Sequence, residues 1–185
     1  MHGHAKIVET IYNTPINDKP LGWKLVSTFA VGGLYAVGFE QNTENLLVVS
    51  ANGQSLIDKN TGHRLYRNRE QNGYNHKTLE AIRLDKPKQP AIRMSGMDGG
   101  GLRTATDDGW MLQIVYKNWP RCRLVLQEPN TSLWGIPTGS GWKDQCKGSN
   151  VLAENYGCRI WGFSFSGDVM VWSDEVDVRI YKKET

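Results

Sequence analysis

Between Cys158 and Tyr181 apolar residues recur with the two-residue period of half-buried strands, three times in succession with a turn between each. Trp161, Phe163 and Phe165 alternate on one face, and Val169 to Trp172 is an unbroken apolar run. Val176, Val178 and Ile180 then alternate against Asp177, Arg179 and Tyr181. The same design stands earlier as Leu34 to Phe39, Leu46 to Val49 and Ser55 to Asp58. In both places the first strand ends in Gly-Phe (Gly38-Phe39, Gly162-Phe163), a polar turn comes next, and a four-residue apolar run stops before a serine (Ser50, Ser173). A chain written this way is expected to build antiparallel sheets.

The remaining segments are read by the same signals. Lys6 to Tyr12 is predicted as a strand, followed by a Pro/Asn/Asp-rich turn from Pro15 to Pro20 and a strand from Trp23 to Phe29. Asn52-Gly53 marks a hairpin, Asn60 to Gly62 a turn, and His63 to Arg67 a further strand. Thr78 to Leu84 fits a strand or one helical turn, and Pro87 and Pro90 interrupt regular structure ahead of Ala91 to Met94. Asp107-Asp108-Gly109 is a turn. Trp110, Leu112, Ile114 and Tyr116 alternate, and after the Lys117 to Pro120 turn comes Arg121 to Leu126. Residues 130–156 read as a long loop whose Trp134 and Trp142 argue against disorder.

At 185 residues the chain fits a single all-β domain, 1–185, able to bury roughly 70% of its unfolded surface. Its net charge of +3 neither demands nor excludes a nucleic-acid partner. Three cysteines without close spacing argue against a disulfide framework and suit a reducing cytosol, although a Cys146–Cys158 bridge stays open for an exported protein. Cys122, alternating with Leu124 and Leu126, reads as a small buried hydrophobe. The start, Met1 to Val8, shows no long apolar run of an export signal or membrane span, and the expectation is a soluble, cytoplasmic, bacterial-type protein.

Four antiparallel strands in about forty residues is the content of one propeller blade. Residues 33–68 and 157–182 resemble β-propeller blades, and Val176 to Tyr181 is similar to the end of a tryptophan–aspartate repeat, without that family's Gly-His pair and Trp-Asp dipeptide. The two copies lie about 124 residues apart, three steps of the usual blade period. The resemblance implies a small degenerate four-bladed ring, closed by Lys6 to Tyr12 beside Val176 to Tyr181. The alternative is an antiparallel β-sandwich or open barrel.

No nucleophile signature or metal-ligand spacing stands in the sequence, so no catalytic residue, metal or cofactor is assigned. His2 and His4 read as a solvated tail or a cloning remnant, and His63 as an exposed turn residue. His76 adds a fourth imidazole without a partner motif. Asp107 and Asp108 are best explained by turn chemistry. The Gly96 to Gly101 stretch reads as a mobile turn, since it lacks a phosphate-loop ending. A hydrolase using these acidic residues near the glycine-rich loop is one alternative function. A second is RNA or DNA binding through Arg64, Arg67, Arg69, Lys77 and Arg83, with Tyr66 and Tyr74 interleaved. The leading expectation is a non-catalytic recognition module for a partner protein, neutralising or scaffolding it. Its loop tryptophans Trp119, Trp134 and Trp142 would be the anchors, with Arg64, Tyr66 and Arg67 as further binding residues.

Overall fold

The computed structural model describes residues 2–134, 146–156, 160–174 and 176–184. Helix α1 (His2–Asn13) is followed by β1 (Trp23–Ala30), β2 (Leu34–Phe39), β3 (Leu46–Ser50), β4 (Gly53–Ile57) and β5 (Arg64–Asn68). Short strands come next: β6 (Tyr74–Asn75), β7 (Glu80–Ala81), β8 (Ile92–Arg93), β9 (Ser95–Gly96) and β10 (Gly99–Gly100). Longer ones resume as β11 (Met111–Asn118), β12 (Arg121–Gln127), β13 (Ser149–Tyr156), β14 (Ile160–Phe163), β15 (Val169–Ser173) and β16 (Asp177–Lys183). The protein is all-β and antiparallel in its sheets, and no described sheet closes into a barrel. The chain forms two compact units, Met1–Leu21 with Thr104–Cys158, and Gly22–Arg103 with Arg159–Thr185.

The second of these units is a sandwich. One sheet runs β1-β16-β15-β14 and the other β10-β9-β2-β3-β4-β5. Val37, Leu46, Val48 and Ile57 meet Ile160, Val169, Val171, Val178 and Ile180 in a shared core. The intervening residues of β3 and β4, Leu47, Val49 and Leu56, point the other way and pack on Ala81, Ile92 and Met94. A third layer, the small β6-β7-β8 sheet, covers that face. This explains the unbroken apolar run of β3: a strand buried on both faces has no polar side to show. Buried Gln54 ties the irregular cover down. Its Nε2 donates to the carbonyls of Asn72 at 2.7 Å and Ile82 at 3.0 Å, and its Oε1 accepts from the Leu84 amide at 3.2 Å.

Several expectations need correction. Lys6 to Tyr12 lies in α1 and is not a strand. Ile7 and Ile11, four apart, are buried with Tyr12, while Lys6, Glu9 and Thr10 are not, which is a helical face. The strand beside β16 is β1, paired from Trp23 opposite Lys183 to Ala30 opposite Asp177 with a register shift between Leu25 and Ser27. The ring closure through Lys6 to Tyr12 therefore does not occur. Phe165 lies beyond β14 and is 48% exposed, so it does not share the buried position of Phe163. The Gly96 to Gly101 stretch holds β9 paired with β10, Gly96 opposite Gly99, and is more than a turn. Residues 149–156, expected in a loop, form β13.

In the other unit, α1 packs on the sheet β11-β12-β13 through Ile7, Ile11, Tyr12, Val115, Val125 and Val151. The helix stops where Pro15 succeeds Thr14, because the residue before proline disfavours the helical region. Its last carbonyls are capped from the sheet: Arg123 Nη1 donates to the carbonyls of Ile11 and Thr14, both at 2.7 Å.

Candidate functional site

Two places, one in each unit, carry most of the sequence-predicted binding residues that the structure describes. The first is the β11–β12 hairpin, which pairs Asn118 with Arg121 and leaves Trp119 and Pro120 at its tip, joined by a cis peptide bond. Trp119 is 78% exposed, and its ring lies 5.8 Å from that of Tyr116, itself 42% exposed. The base of this tip is fixed from α1. The Tyr12 hydroxyl sits 3.3 Å from the Val115 carbonyl and 3.1 Å from that of Arg121, sharing its one proton between them, and accepts from the Lys117 amide at 3.2 Å. The cations of Lys117, Arg121 and Arg123 lie over the Tyr12 ring at 5.4, 5.4 and 4.9 Å. Burial, against the pull of the Lys117 hydrogen bond, raises the Tyr12 phenol above its ordinary range, so it stays a protonated donor. Arg121 and Arg123 both bind Glu154. Burial alone would raise that carboxyl, but the two guanidiniums outweigh it and hold it low. The tip thus shows two aromatic rings outward, above a base where Lys117, Arg121 and Arg123 group around the Tyr12 ring.

Trp134 is 45% exposed and stacks on His4 at 5.0 Å, so His4 belongs to a helix face that carries a ring contact. Trp142 lies outside the described residues, as does Cys158; neither Cys122 nor Cys146 forms a disulfide among the described residues.

The second place is the sandwich edge strand β5. Arg64 lies opposite Ile57 and Arg67 opposite Ser55, so both arginines face the sandwich side. Tyr66 lies opposite Leu56 and faces the third layer, with the Arg83 guanidinium 5.9 Å above its ring. The structure brings Arg64 and Arg67 together and puts Tyr66 on the other face. Arg83 is buried and bound to Glu40 and Asp85, so it belongs to the interior.

A cavity of about 330 Å³ lies between the Glu40–Thr43 turn, residues 89–93 and Phe165. Glu40 at its wall is spent on Arg83 at 2.7 Å and on Thr43 Oγ1 at 2.5 Å. The Phe165 turn is clamped from two sides: the Arg103 guanidinium donates to the Phe165 carbonyl, and Glu44 binds Ser166. Glu44 also takes Lys59 Nζ at 2.8 Å and holds a left-handed backbone, φ 57°.

His76, for which the sequence shows no partner, has one in the fold. Its Nδ1 lies 2.7 Å from Asp98 Oδ2, and its ring meets those of Tyr35 and Tyr74. Asp98 fixes the imidazole's orientation, leaving the other nitrogen on a half-exposed ring. The two residues are 22 apart on separate turns, so no local spacing could signal the pair. Asp108 accepts from Thr106 Oγ1 at 2.7 Å within the turn that the Gly109 amide closes on the Thr106 carbonyl, in keeping with turn chemistry. The Gly96 to Gly101 hairpin belongs to the other unit. Among the described residues no three His, Cys, Asp or Glu groups cluster to hold a metal, and no helix is long and apolar enough to cross a membrane.

No protein-family model matches the chain, and no curated protein or solved structure matches it.

Proposed function

We propose that this protein is a recognition module that binds a partner protein through the Tyr116–Trp119 hairpin tip. One observation carries the reading: a tryptophan 78% exposed on a hairpin whose base is pinned by the buried Tyr12 hydroxyl. Exposing such a ring is unfavourable in water, and holding it fixed lowers the entropy cost of burying it in a partner. Trp and Tyr anchors of this kind dominate protein interfaces, each worth about 2–4 kcal/mol when fully desolvated. Arg121 and Arg123 share the one Glu154 carboxylate, and with Lys117 they group around the Tyr12 ring at the base of the tip.

The test is affinity capture with the full chain, identification of the captured protein, and titration of the purified pair. Trp119→Ala is expected to weaken that pair at least about tenfold with unchanged unfolding midpoint. A partner that binds Trp119→Ala and Tyr116→Ala as tightly as the original chain overturns the reading.

A further inference from the structure

Beneath Arg64 and Arg67 lies a cleft of about 90 Å³, unrelated to the hairpin tip and belonging to the sandwich unit. Its floor is Phe29, Val48 and Ile57, and its rim carries Asn52, Ser55 and the two arginines. At roughly 30 Å³ per water, the space is of the order of a few waters, enough for one tetrahedral oxyanion.

The chemistry of the rim is one-sided. Among the described residues, no Asp or Glu lines the cleft. Among the described residues neither Arg64 nor Arg67 has a hydrogen-bond or ion-pair partner, whereas Arg83, Arg123 and Arg179 are matched to carboxylates. Asn52 turns its Nδ2 toward the open space over Gly32, where an added Cβ would meet nothing closer than that nitrogen at 4.0 Å. Ser55 is buried, and its hydroxyl is a further donor at the wall. Desolvation first, and then the charges of Arg64 and Arg69, lower the pKa of the Arg67 guanidinium from its ordinary value. Arg64 and Arg67 are themselves exposed, and both line this one cleft on the same face of the edge strand, with the Asn52 and Ser55 donors beside them.

We propose that the Arg64–Arg67 cleft is a binding site for a phosphate monoester. Two uncompensated guanidiniums match the charge of about −2 on such a group, whereas a phosphodiester carries one charge. Planar guanidinium forks, an amide and a hydroxyl supply the converging donors that its terminal oxygens accept.

The experiment titrates inorganic phosphate, then glycerol phosphate, then a single-stranded oligonucleotide without terminal phosphate into the full chain at constant ionic strength. The side-chain N–H resonances of Arg64, Arg67 and Asn52 are followed. The expected result is saturable, joint movement of these signals with both phosphate and glycerol phosphate. Arg64→Gln and Arg67→Gln each weaken binding about tenfold or more, as loss of a charged hydrogen bond requires. Arg69→Gln removes the same charge outside the cleft and is expected to change affinity less than about twofold. No saturation, or equal weakening by Arg69→Gln, overturns the proposal by reducing the cleft to diffuse charge. An oligonucleotide that displaces phosphate from the cleft and binds there more tightly than glycerol phosphate overturns the monoester assignment in favour of a polynucleotide backbone.

Discussion

Glu44 accepts two hydrogen bonds from Ser166, 122 positions along the chain, one from the amide at 2.5 Å and one from the hydroxyl at 2.6 Å. This tie holds the Phe165 turn of one sandwich sheet against the β2–β3 turn of the other. Burial alone would raise the Glu44 carboxyl, but the bonds from Lys59 and Ser166 outweigh it and hold the pKa below its usual 4.5. A carboxylate with a depressed folded pKa contributes stability that is present above the unfolded pKa and is lost as pH falls through the folded one. Glu44→Gln is therefore expected to lower stability by about 1–3 kcal/mol at neutral pH. The gap to the original chain should shrink as pH falls below 4.5. Urea unfolding at neutral and acid pH measures it, and a gap independent of pH would refute the assignment.

Tyr12→Phe keeps the ring under its three cations and removes only the hydroxyl that ties the Val115, Lys117 and Arg121 backbone. The expected loss is about 1 kcal/mol of stability. The decisive readout is local: hydrogen exchange at the Lys117 amide should quicken, since its acceptor is gone. Unchanged exchange there would mean the tip is held without Tyr12.

Much of the strand content is legible in the sequence because period-two patterns do not depend on distant partners. β2 has the predicted bounds, Leu34 to Phe39, and β12 differs from its predicted range only at its end. The N-terminal helix is not legible, for a definable reason. Ile7, Val8, Ile11 and Tyr12 are β-branched or aromatic, types that favour strands by propensity. The i, i+4 spacings of Ile7 with Ile11 and of Val8 with Tyr12 signal the helix, and burial against the β11–β12–β13 sheet overrides propensity. Of the candidate site, Trp119 can be found because Pro120 and the flanking alternation put it in a turn. The separation of Tyr66 from Arg64 and Arg67 cannot. It depends on the register irregularity between Leu56 and Ile57, which puts Arg64 opposite Ile57 and Tyr66 opposite Leu56. The cleft and the His76–Asp98 contact likewise arise from segments brought together only by the tertiary fold.

Arg83 and Glu40 form a buried pair, with side chains 7% and 8% exposed and 2.7 Å between them. Removing the cation alone strands a buried carboxylate, so Arg83→Met is expected to cost about 3–5 kcal/mol. Adding Glu40→Gln relieves that charge, and the double variant should be more stable than Arg83→Met alone. Denaturant titration of the four members of the cycle tests this. Costs that add within about 0.5 kcal/mol would show that the two residues do not act as a pair.

The glycines of the two Gly-Phe steps answer to a packing demand that the strands themselves do not create. A Cβ on Gly38 would lie 2.4 Å from the Arg93 carbonyl oxygen and 2.8 Å from Ile92 Cγ2, both in the strand that crosses the outer face of β2. A Cβ on Gly162 would lie 2.3 Å from Leu102 Cβ and 2.9 Å from the Arg103 carbonyl oxygen. In each case a chain segment passes too close to the sheet for any side chain to stand beneath it. Gly38→Ala and Gly162→Ala must each displace backbone, and each is expected to destabilise by about 1–3 kcal/mol or more. Gly32→Ala, which faces open space, should stay within about 0.5 kcal/mol. Thermal unfolding of the three variants separates the two cases. If Gly38→Ala and Gly162→Ala melt with Gly32→Ala, the close approach of the covering segments is not what these glycines serve.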